Sequence, residues 1–300
     1  MRLYALLLLT VSSYSSASVM AQELPDQATA IEEIERLGGT INPDNASPSQ
    51  TGFSVSLCGC ERFDDDNIHL LKSIENVTWL DLTATRITDE GLKELKGFKS
   101  LALLGLQNTM ITDAGLKELS ELKSLTTLDL TRTSTTDVGL KELSGLVALK
   151  KLNLTKTAIT DAGLKELAGL HKLEMLSLQS TGIADAGLTE LKDFENLSVL
   201  CLNGTQITDA GLTELKHLEN LSKLDLNGTQ FTDEGLKNLT GLTHLKRISA
   251  MGTAATDDGL NNLKKAIPTL HVVSASDFKT EIRVINGLTI QTISRKNGPQ

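Results

Sequence analysis

The residue types that could do chemistry in this 300-residue chain are led by a regular series of aspartates. Eight aspartates are spaced 24 residues apart, and a glycine follows two positions after each. They are Asp89, Asp113, Asp137, Asp161, Asp185, Asp209, Asp233 and Asp257. Carboxylates bind calcium, but a calcium loop needs several of them within about a dozen residues. One aspartate per 24 residues, placed where a helix is about to begin, is more typical of helix capping, and in the second unit Thr88 and Asp89 are both candidates for the N-cap.

Other chemical arrangements are tested by spacing. The five histidines (His69, His171, His217, His244 and His271) occupy different repeat positions and never pair at metal-ligand spacing. Serine, histidine and aspartate are present without a nucleophile-elbow motif. The recurring glycines occupy one structural position, where we expect neighbouring backbones to crowd, rather than phosphate loops. The sequence therefore predicts no catalytic residues, no metal and no cofactor, and the protein is not expected to be an enzyme.

The three cysteines are predicted to be isolated thiols. Cys58 is expected on an inward strand position with Cys60 two residues later, and Cys201 on an outward one. Six repeats of about 4.8 Å separate Cys201 from the other two by roughly 29 Å, far beyond disulfide reach.

The chain carries a net charge of -9, which argues against a general nucleic-acid binder. Its N-terminus has one basic residue, Arg2, and an apolar stretch from Leu3 to Val11 that is too short to span a bilayer. Residues 1–21 are therefore predicted to be a signal peptide cleaved near Ala21, in preference to a membrane anchor. The expected location is secreted or periplasmic, with no membrane span.

A repeat of 24 residues tiles most of the chain. Nine units cover 53–268, a tenth ends at its strand, and together they form a predicted solenoid over 53–274. The consensus is L-x-x-L-x-L-x-x-T-x-I-T-D-x-G-L-x-x-L-x-x-L-x-x. Its L-x-L alternation predicts a short strand, and G-L-x-x-L predicts a short helix. A single unit is too small to bury its own core, so the units are expected to be stable only when stacked.

These residues resemble the leucine-rich repeat family. The T-x-I-T-D-x-G-L-x-x-L signature is similar to the cysteine-containing repeats of F-box proteins and, more distantly, to ribonuclease-inhibitor-like proteins, although threonine replaces the usual asparagine or cysteine at the ninth position. The resemblance implies an α/β solenoid, a horseshoe with a parallel concave sheet and short convex helices. It also implies protein binding through the concave face.

The flanking segments are expected to cap the array. Residues 22–52 are predicted to form a capping helix, begun at Asp26 with an apolar stripe of Ala28, Ile31, Ile34 and Leu37, and a linker over 38–52. Residues 275–300 are predicted to form a hairpin around Asn286-Gly287 and a tail.

The candidate partner-binding residues are those at positions where the repeat consensus fixes no residue type. They occupy outward strand and turn positions, carry more basic than acidic groups, and include a single aromatic residue. They are Trp79, Asp81, Leu103, Thr127, Asp129, Arg132, Lys150, Lys151, Asn153, Lys156, Met175, Val199, Lys223, Asp225 and Arg247. A merely solvated face of mixed charge is the alternative.

The sequence thus favours a protein-binding scaffold whose unknown protein partner carries an acidic patch. One alternative is a structural or self-associating protein of the cell envelope. Another is a substrate-recognition subunit of a larger complex, as in F-box-type proteins, although no F-box segment is present. An enzyme confined to the short flanks is disfavoured because neither flank carries a reactive cluster.

Overall fold

The computed structural model describes residues 24–44, 52–274, 278–285 and 288–295, and the predicted signal peptide lies outside them. The described chain forms one sheet of eleven strands with short helices between them. The strands are β1 (Thr40–Asp44), β2 (Gly52–Ser56), β3 (Val77–Asp81), β4 (Leu103–Gly105), β5 (Thr127–Asp129), β6 (Lys151–Asn153), β7 (Met175–Ser177), β8 (Val199–Cys201), β9 (Lys223–Asp225), β10 (Arg247–Ser249) and β11 (His271–Val273).

Strands β2 to β11 are parallel and follow one another in chain order, so each unit returns to the sheet through a turn and a helix. The α-helices are α1 (Gln27–Arg36), α2 (Asp89–Leu92), α3 (Asp113–Leu116), α4 (Asp137–Leu143), α5 (Asp161–Leu164), α6 (Asp185–Leu188), α7 (Asp209–Glu214), α8 (Asp233–Lys237) and α9 (Asp257–Ala266). Short 3-10 helices lie at Asp65–Ser73, Lys93–Gly97, Lys117–Glu121, Lys165–Leu167, Thr189–Leu191 and Leu215–His217. The predicted α/β repeat solenoid is confirmed.

A continuous core runs through the array between the sheet and the helices. In the fifth unit, Leu152 and Leu154 enter it from the strand side, Ile159 from the turn, and Leu164 and Leu167 from the helical segment; all five are at most 1% exposed. Each buried side chain of this kind contributes about 1.5–3 kcal/mol. Because every unit shares its core with the units on either side, stability belongs to the array rather than to one unit.

Threonine, not aspartate, caps the short helices. Thr136 stands at the N-cap of α4 with extended backbone, and its side chain accepts a hydrogen bond from the backbone N–H of Val138. Equivalent threonines cap six other helices: Thr88, Thr112, Thr160, Thr208, Thr232 and Thr256. The aspartate is the first residue inside each helix, so of the two N-cap candidates the threonine is correct and the aspartate is wrong.

The aspartate carboxylate instead binds the next unit along the array. Asp137 Oδ1 accepts from the backbone N–H of Thr160 at 2.8 Å, and Oδ2 accepts from its hydroxyl at 2.6 Å. We call the series of such pairs the aspartate–threonine ladder. Its other two-bond members are Asp65–Thr88, Asp89–Thr112, Asp113–Thr136, Asp185–Thr208, Asp209–Thr232 and Asp233–Thr256.

One step of the ladder is incomplete. Ala184 takes the place of the threonine, so Asp161 keeps only the bond from the backbone N–H of Ala184, at 2.8 Å. Helix α6 accordingly begins without a side-chain cap. The joint between the fifth and sixth units is therefore held by one fewer ladder hydrogen bond than its neighbours.

The ladder also explains the recurring glycines. A Cβ atom added to Gly163 would overlap Oδ1 of Asp137, the oxygen that the ladder fixes in place. The same overlap with the preceding aspartate occurs at Gly115, Gly139 and Gly187. The expectation of crowding is correct, but the crowding atom is a carboxylate oxygen rather than neighbouring backbone.

The ninth-position threonines close a turn within their own unit. Thr157 Oγ1 donates to the carbonyl of Leu154 at 2.6 Å, and Thr181 Oγ1 donates to that of Leu178 at the same distance. Both threonines are buried. Their hydroxyls thus satisfy the first carbonyl that follows the strand, a role for which one donor is enough.

Only the strand of the first unit is displaced by one residue from the 24-residue frame, whereas Asp65 keeps its position in the aspartate–threonine ladder. Val55 pairs with Leu80 and Ser56 with Asp81, and a register shift lies between Phe53 and Ser54. Leu57, fully buried, therefore takes the inward position, while Cys58 lies in an exposed turn. The expected inward placement of Cys58 is wrong, because a one-residue shift exchanges the two faces of a strand.

The N-terminal flank packs against the first unit, where Ser73 Oγ donates to the carbonyl of Pro25 at 2.7 Å. That it caps the array stays a prediction. Asp26 caps α1 by accepting from Thr29 N–H at 2.8 Å. The buried residues of α1 are Ala30 and Ile34, whereas Ala28 is exposed. The segment 38–52, predicted to be a linker, contains β1, which pairs antiparallel with β2 and extends the sheet; residues 45–51 lie outside the description.

The C-terminal flank forms the expected hairpin. Strands β12 (Phe278–Ile285) and β13 (Leu288–Arg295) pair antiparallel as a separate two-stranded sheet. The predicted Asn286-Gly287 turn lies outside the described residues. That the hairpin caps the array stays a prediction.

Candidate binding face

The concave side of the sheet presents two rows of side chains that alternate with the buried leucines. The first row, which we call the outer row, follows the first outward position of each strand across nine paired strands. Its members are Trp79, Leu103, Thr127, Lys151, Met175, Val199, Lys223, Arg247 and His271. Because neighbouring strands lie about 4.8 Å apart, the outer row is a continuous surface.

The outer row is not uniform. Two apolar pairs occur in it, Trp79 with Leu103 and Met175 with Val199, and all four side chains are half-buried. Thr127 and the exposed Lys151 separate the pairs. The far end is basic, with Lys223 and Arg247.

The second row consists of the side chains two residues after the outer row, such as Asp81 and Asp129. These side chains are largely engaged in hydrogen bonds within the protein. Asp129 Oδ1 accepts from the backbone N–H of Thr131 at 2.8 Å, and its Oδ2 accepts from Asn153 Nδ2 at 3.0 Å. Asp81 accepts from Thr83 N–H at 3.0 Å in the same way. These side chains stabilise the turns after the strands. Fewer of their oxygen atoms are therefore available to a partner than the sequence implied.

A buried cluster continues the second row at the other end. Asp225 is 8% exposed; it pairs with Lys223 at 2.8 Å and accepts from the Cys201 thiol at 3.4 Å. The pKa of the Cys201 thiol is raised to about 11, mainly by burial and further by the negative charge and the hydrogen bond of Asp225. The thiol therefore stays protonated and donates, which suits a structural role rather than nucleophilic chemistry.

A third row, the turn row, lies just beyond the ends of the strands. Its backbone adopts the left-handed conformation in unit after unit: Ala84, Asn108, Arg132, Lys156, Ser180, Gly204, Gly228 and Gly252. Arg132 and Lys156 each have φ of 57°, a conformation that costs a side chain about 1–2 kcal/mol relative to glycine. Units seven to nine avoid this cost with glycine, whereas units four and five hold basic side chains at the same place.

The basic candidates differ in whether a carboxylate already neutralises them. Lys150 pairs with Glu174 at 2.8 Å, and Lys223 pairs with Asp225. Arg132, Lys151 and Lys156 are exposed, and none has a carboxylate within 4.0 Å among the described residues. We call these three the basic trio. Lys150 and Glu174 are 24 residues apart and therefore occupy equivalent positions in adjacent units, a spacing that could have indicated the ion pair from the sequence. Because this pair neutralises Lys150, we leave Lys150 out of the basic trio.

A groove of about 570 Å³ lies elsewhere, between residues 71–77 and 93–100. The half-buried Phe98 lines it. All four of its lysines form ion pairs: Lys72–Glu94, Lys93–Glu90, Lys96–Glu118 and Lys99–Glu121. Because these charges cancel in pairs, the groove carries little net charge.

Among the described residues, no helix is both long enough and apolar enough to cross a bilayer. In the same part of the chain, no three histidine, cysteine, aspartate or glutamate side chains converge as metal ligands would.

The repeated strand–turn–helix units define an α/β solenoid with a parallel sheet along one side. A model of a leucine-rich repeat region matches residues 110–283, and a second leucine-rich repeat model matches residues 75–96. The first match covers more than half of the chain, which belongs to the leucine-rich repeat family.

One solved structure provides a comparison at the level of the fold. The chain is similar to internalin C2 from Listeria monocytogenes strain 4b F2365, with 26% sequence identity and a TM-score of 0.52. The similarity covers 70% of this chain and 84% of that one. A search of curated proteins gives no match.

Proposed function

We propose that this protein is a non-enzymatic scaffold that binds a protein partner through the concave face. The observation that carries the proposal is the outer row, which combines half-buried apolar side chains with basic groups that no described carboxylate neutralises. Membership of the leucine-rich repeat family and the similarity to an internalin support an interaction role.

The basic trio implies the sign of the partner. Arg132, Lys151 and Lys156 lie on two adjacent units in a protein whose net charge is -9. A local basic patch on an acidic protein attracts acidic surfaces. The partner is therefore expected to present an acidic patch to the middle of the concave face.

The test compares capture of envelope proteins by matched variants. Trp79→Ala removes the only tryptophan of the chain, a residue type that often dominates binding interfaces, and Lys151→Glu lowers the charge of the basic trio from +3 to +1. Lys165→Glu is the control, because Lys165 belongs to the same unit as Lys151 but lies exposed on the helical side. Val147→Ala controls for loss of an exposed apolar side chain.

A specific partner should be captured by the wild type and both controls, and lost or depleted with Trp79→Ala and Lys151→Glu. Capture that is unchanged in those two variants and lost in Lys165→Glu would contradict the proposal. Reversible association of the purified protein with itself, abolished by the same concave substitutions, would instead support the self-associating envelope protein.

The proposal also places the mature protein outside the cytoplasm, after cleavage near Ala21. N-terminal sequencing of exported protein should then begin at or near Gln22. An exported protein that retains Met1 would contradict this part of the proposal.

A further inference from the structure

Two features of the concave face lie in a fixed spatial relation to each other. The apolar pair Trp79–Leu103 stands on β3 and β4, and the pair Met175–Val199 stands on β7 and β8. Their centres are four strand spacings apart, or about 19 Å. Between them, on units four and five, lies the basic trio.

The middle region of the concave face carries three cations on two adjacent units. Arg132 and Lys156 occupy the same turn position of units four and five, where the other units have glycine or an uncharged side chain. Lys151, on the strand between the two turns, adds a third cation.

The shape of the face favours one kind of occupant. A chain laid across the strands finds no backbone partners in the middle of the sheet, because each strand is already paired on both sides. An α-helix satisfies its own backbone hydrogen bonds, and its width of about 10 Å matches a strand of three residues at about 3.3 Å each. The 19 Å between the apolar pairs corresponds to about 13 helical residues.

We propose that the concave face binds an acidic amphipathic helix of the partner, with apolar side chains at two points about 19 Å apart and carboxylates on the same face between them. The apolar ends contact Trp79–Leu103 and Met175–Val199, and the carboxylates pair with Arg132, Lys151 and Lys156. This inference rests on the proposed function and specifies the partner that the face accepts.

Trp79 is the only tryptophan in the chain, so its fluorescence reports on the site directly. The probes are synthetic alanine-rich helical peptides with capped ends and two leucine pairs. The first has the pairs about 14 residues apart with glutamates between them on the same face. The second has lysines in place of the glutamates, and the third has the pairs about seven residues apart, half the required distance.

The first peptide should shift Trp79 emission to shorter wavelength and bind about ten-fold more tightly than the other two. The second peptide cannot form ion pairs with the basic trio, and the third can contact only one of the two apolar pairs at a time. Lys151→Glu should markedly reduce the preference for the first peptide over the second, because it lowers the charge of the basic trio from +3 to +1. Met175→Ser should abolish the preference of the first over the third, and Lys165→Glu should change nothing. Thermal melts of all variants establish that they remain folded.

Equal binding of the glutamate and lysine peptides, equal binding of the wide and narrow peptides, or no response of Trp79 to any of them would overturn the inference. The proposed function is judged separately, by whether capture of a natural partner depends on Trp79 and Lys151. A partner that is captured through the concave face while the peptides show no preference would leave the proposed function standing and remove the acidic helix.

Discussion

The helical side and the concave side of the repeats differ in how constant their residues are from unit to unit. At the helical side, the aspartate–threonine ladder repeats the same two hydrogen bonds in nearly every unit, with Asp137–Thr160 at 2.8 and 2.6 Å as a typical step. At the concave side, corresponding residues differ from one unit to the next: Trp79, Thr127, Lys151 and Met175 share one position. Positions that join neighbouring units are held constant, and positions that face solvent are free to vary.

The comparison separates stability from recognition. A change at the helical side acts on the joint between two units and is expected to alter stability with little effect on binding. A change in the outer row or turn row is expected to alter binding with little loss of stability, because those side chains point away from the core. The following predictions test this division, beginning with the largest expected effect.

The largest effect is expected at the helical side from Gly163→Ala. The new methyl group would overlap Asp137 Oδ1 and force the carboxylate away from Thr160, so overpacking and two weakened hydrogen bonds combine. We expect a loss of about 3 kcal/mol in the free energy of unfolding, measured by urea denaturation. Gly169→Ala is the control, because its nearest neighbour would be the Ser144 carbonyl at 3.7 Å. Equal stability of the two variants would refute the steric account.

A smaller effect is expected from removing one ladder carboxylate. Asp137→Ala deletes two charge-assisted bonds and should cost about 2 kcal/mol, whereas Asp161→Ala deletes only one and should cost about half as much. Ala184→Thr should complete the ladder and add about 1 kcal/mol. Urea midpoints with and without calcium provide the measurement. A strong stabilisation of the wild type by calcium, lost in Asp137→Ala, would show that the carboxylates bind metal instead.

The regular parts of the fold could be predicted from the sequence because periodicity encodes them. The inward leucines, such as Leu152 and Leu154, follow the strand period, and outward residues such as Lys151 follow by alternation. The displaced strand of the first unit could not be predicted in the same way. The extra residue lies in the turn between Leu57 and Phe63, where the repeat is too degenerate to show an insertion.

The sequence predicted where the candidate residues lie, but not which of their side chains are already engaged in hydrogen bonds within the protein. Sequence placed Asp129, Asn153 and Asp225 on the concave side, yet their side chains bond to one another or to nearby backbone and thiol groups. Such pairings join residues about 24 apart and depend on rotamers that no pattern of residue types specifies. The aspartates carried a usable signal, since a threonine follows each ladder aspartate at a constant offset of 23, except at Ala184.

At the concave side, Arg132→Gly should separate stability from binding. Glycine relieves the left-handed backbone at this turn, and part of that gain is offset by its greater freedom in the unfolded chain, leaving about 0.5 kcal/mol of stabilisation. Partner affinity should fall at the same time. Asn108→Gly, at the same position in the third unit, is the control and should gain less, because asparagine tolerates this conformation. Loss of stability in Arg132→Gly would mean that its side chain supports the fold.

The smallest effect concerns the pH dependence of one ladder step. Burial opposes ionisation of Asp209, but hydrogen bonds from Thr232 and from Gly235 N–H outweigh it and hold the pKa of that carboxyl below its usual value of 3.8. A lowered pKa in the folded state means that the ionised carboxylate stabilises the protein fully above pH 3.8. That contribution disappears as the pH falls through the lower, folded-state pKa.

Asp209→Asn keeps one oxygen acceptor and removes the charge, so the stability difference between wild type and variant should be constant near neutral pH and shrink in acid. Urea denaturation across pH 2.5 to 7 measures that difference, and comparing the two proteins removes the titration of all other carboxyls. A difference that stays constant to the lowest pH would show that the Asp209 charge plays no part in joining the units.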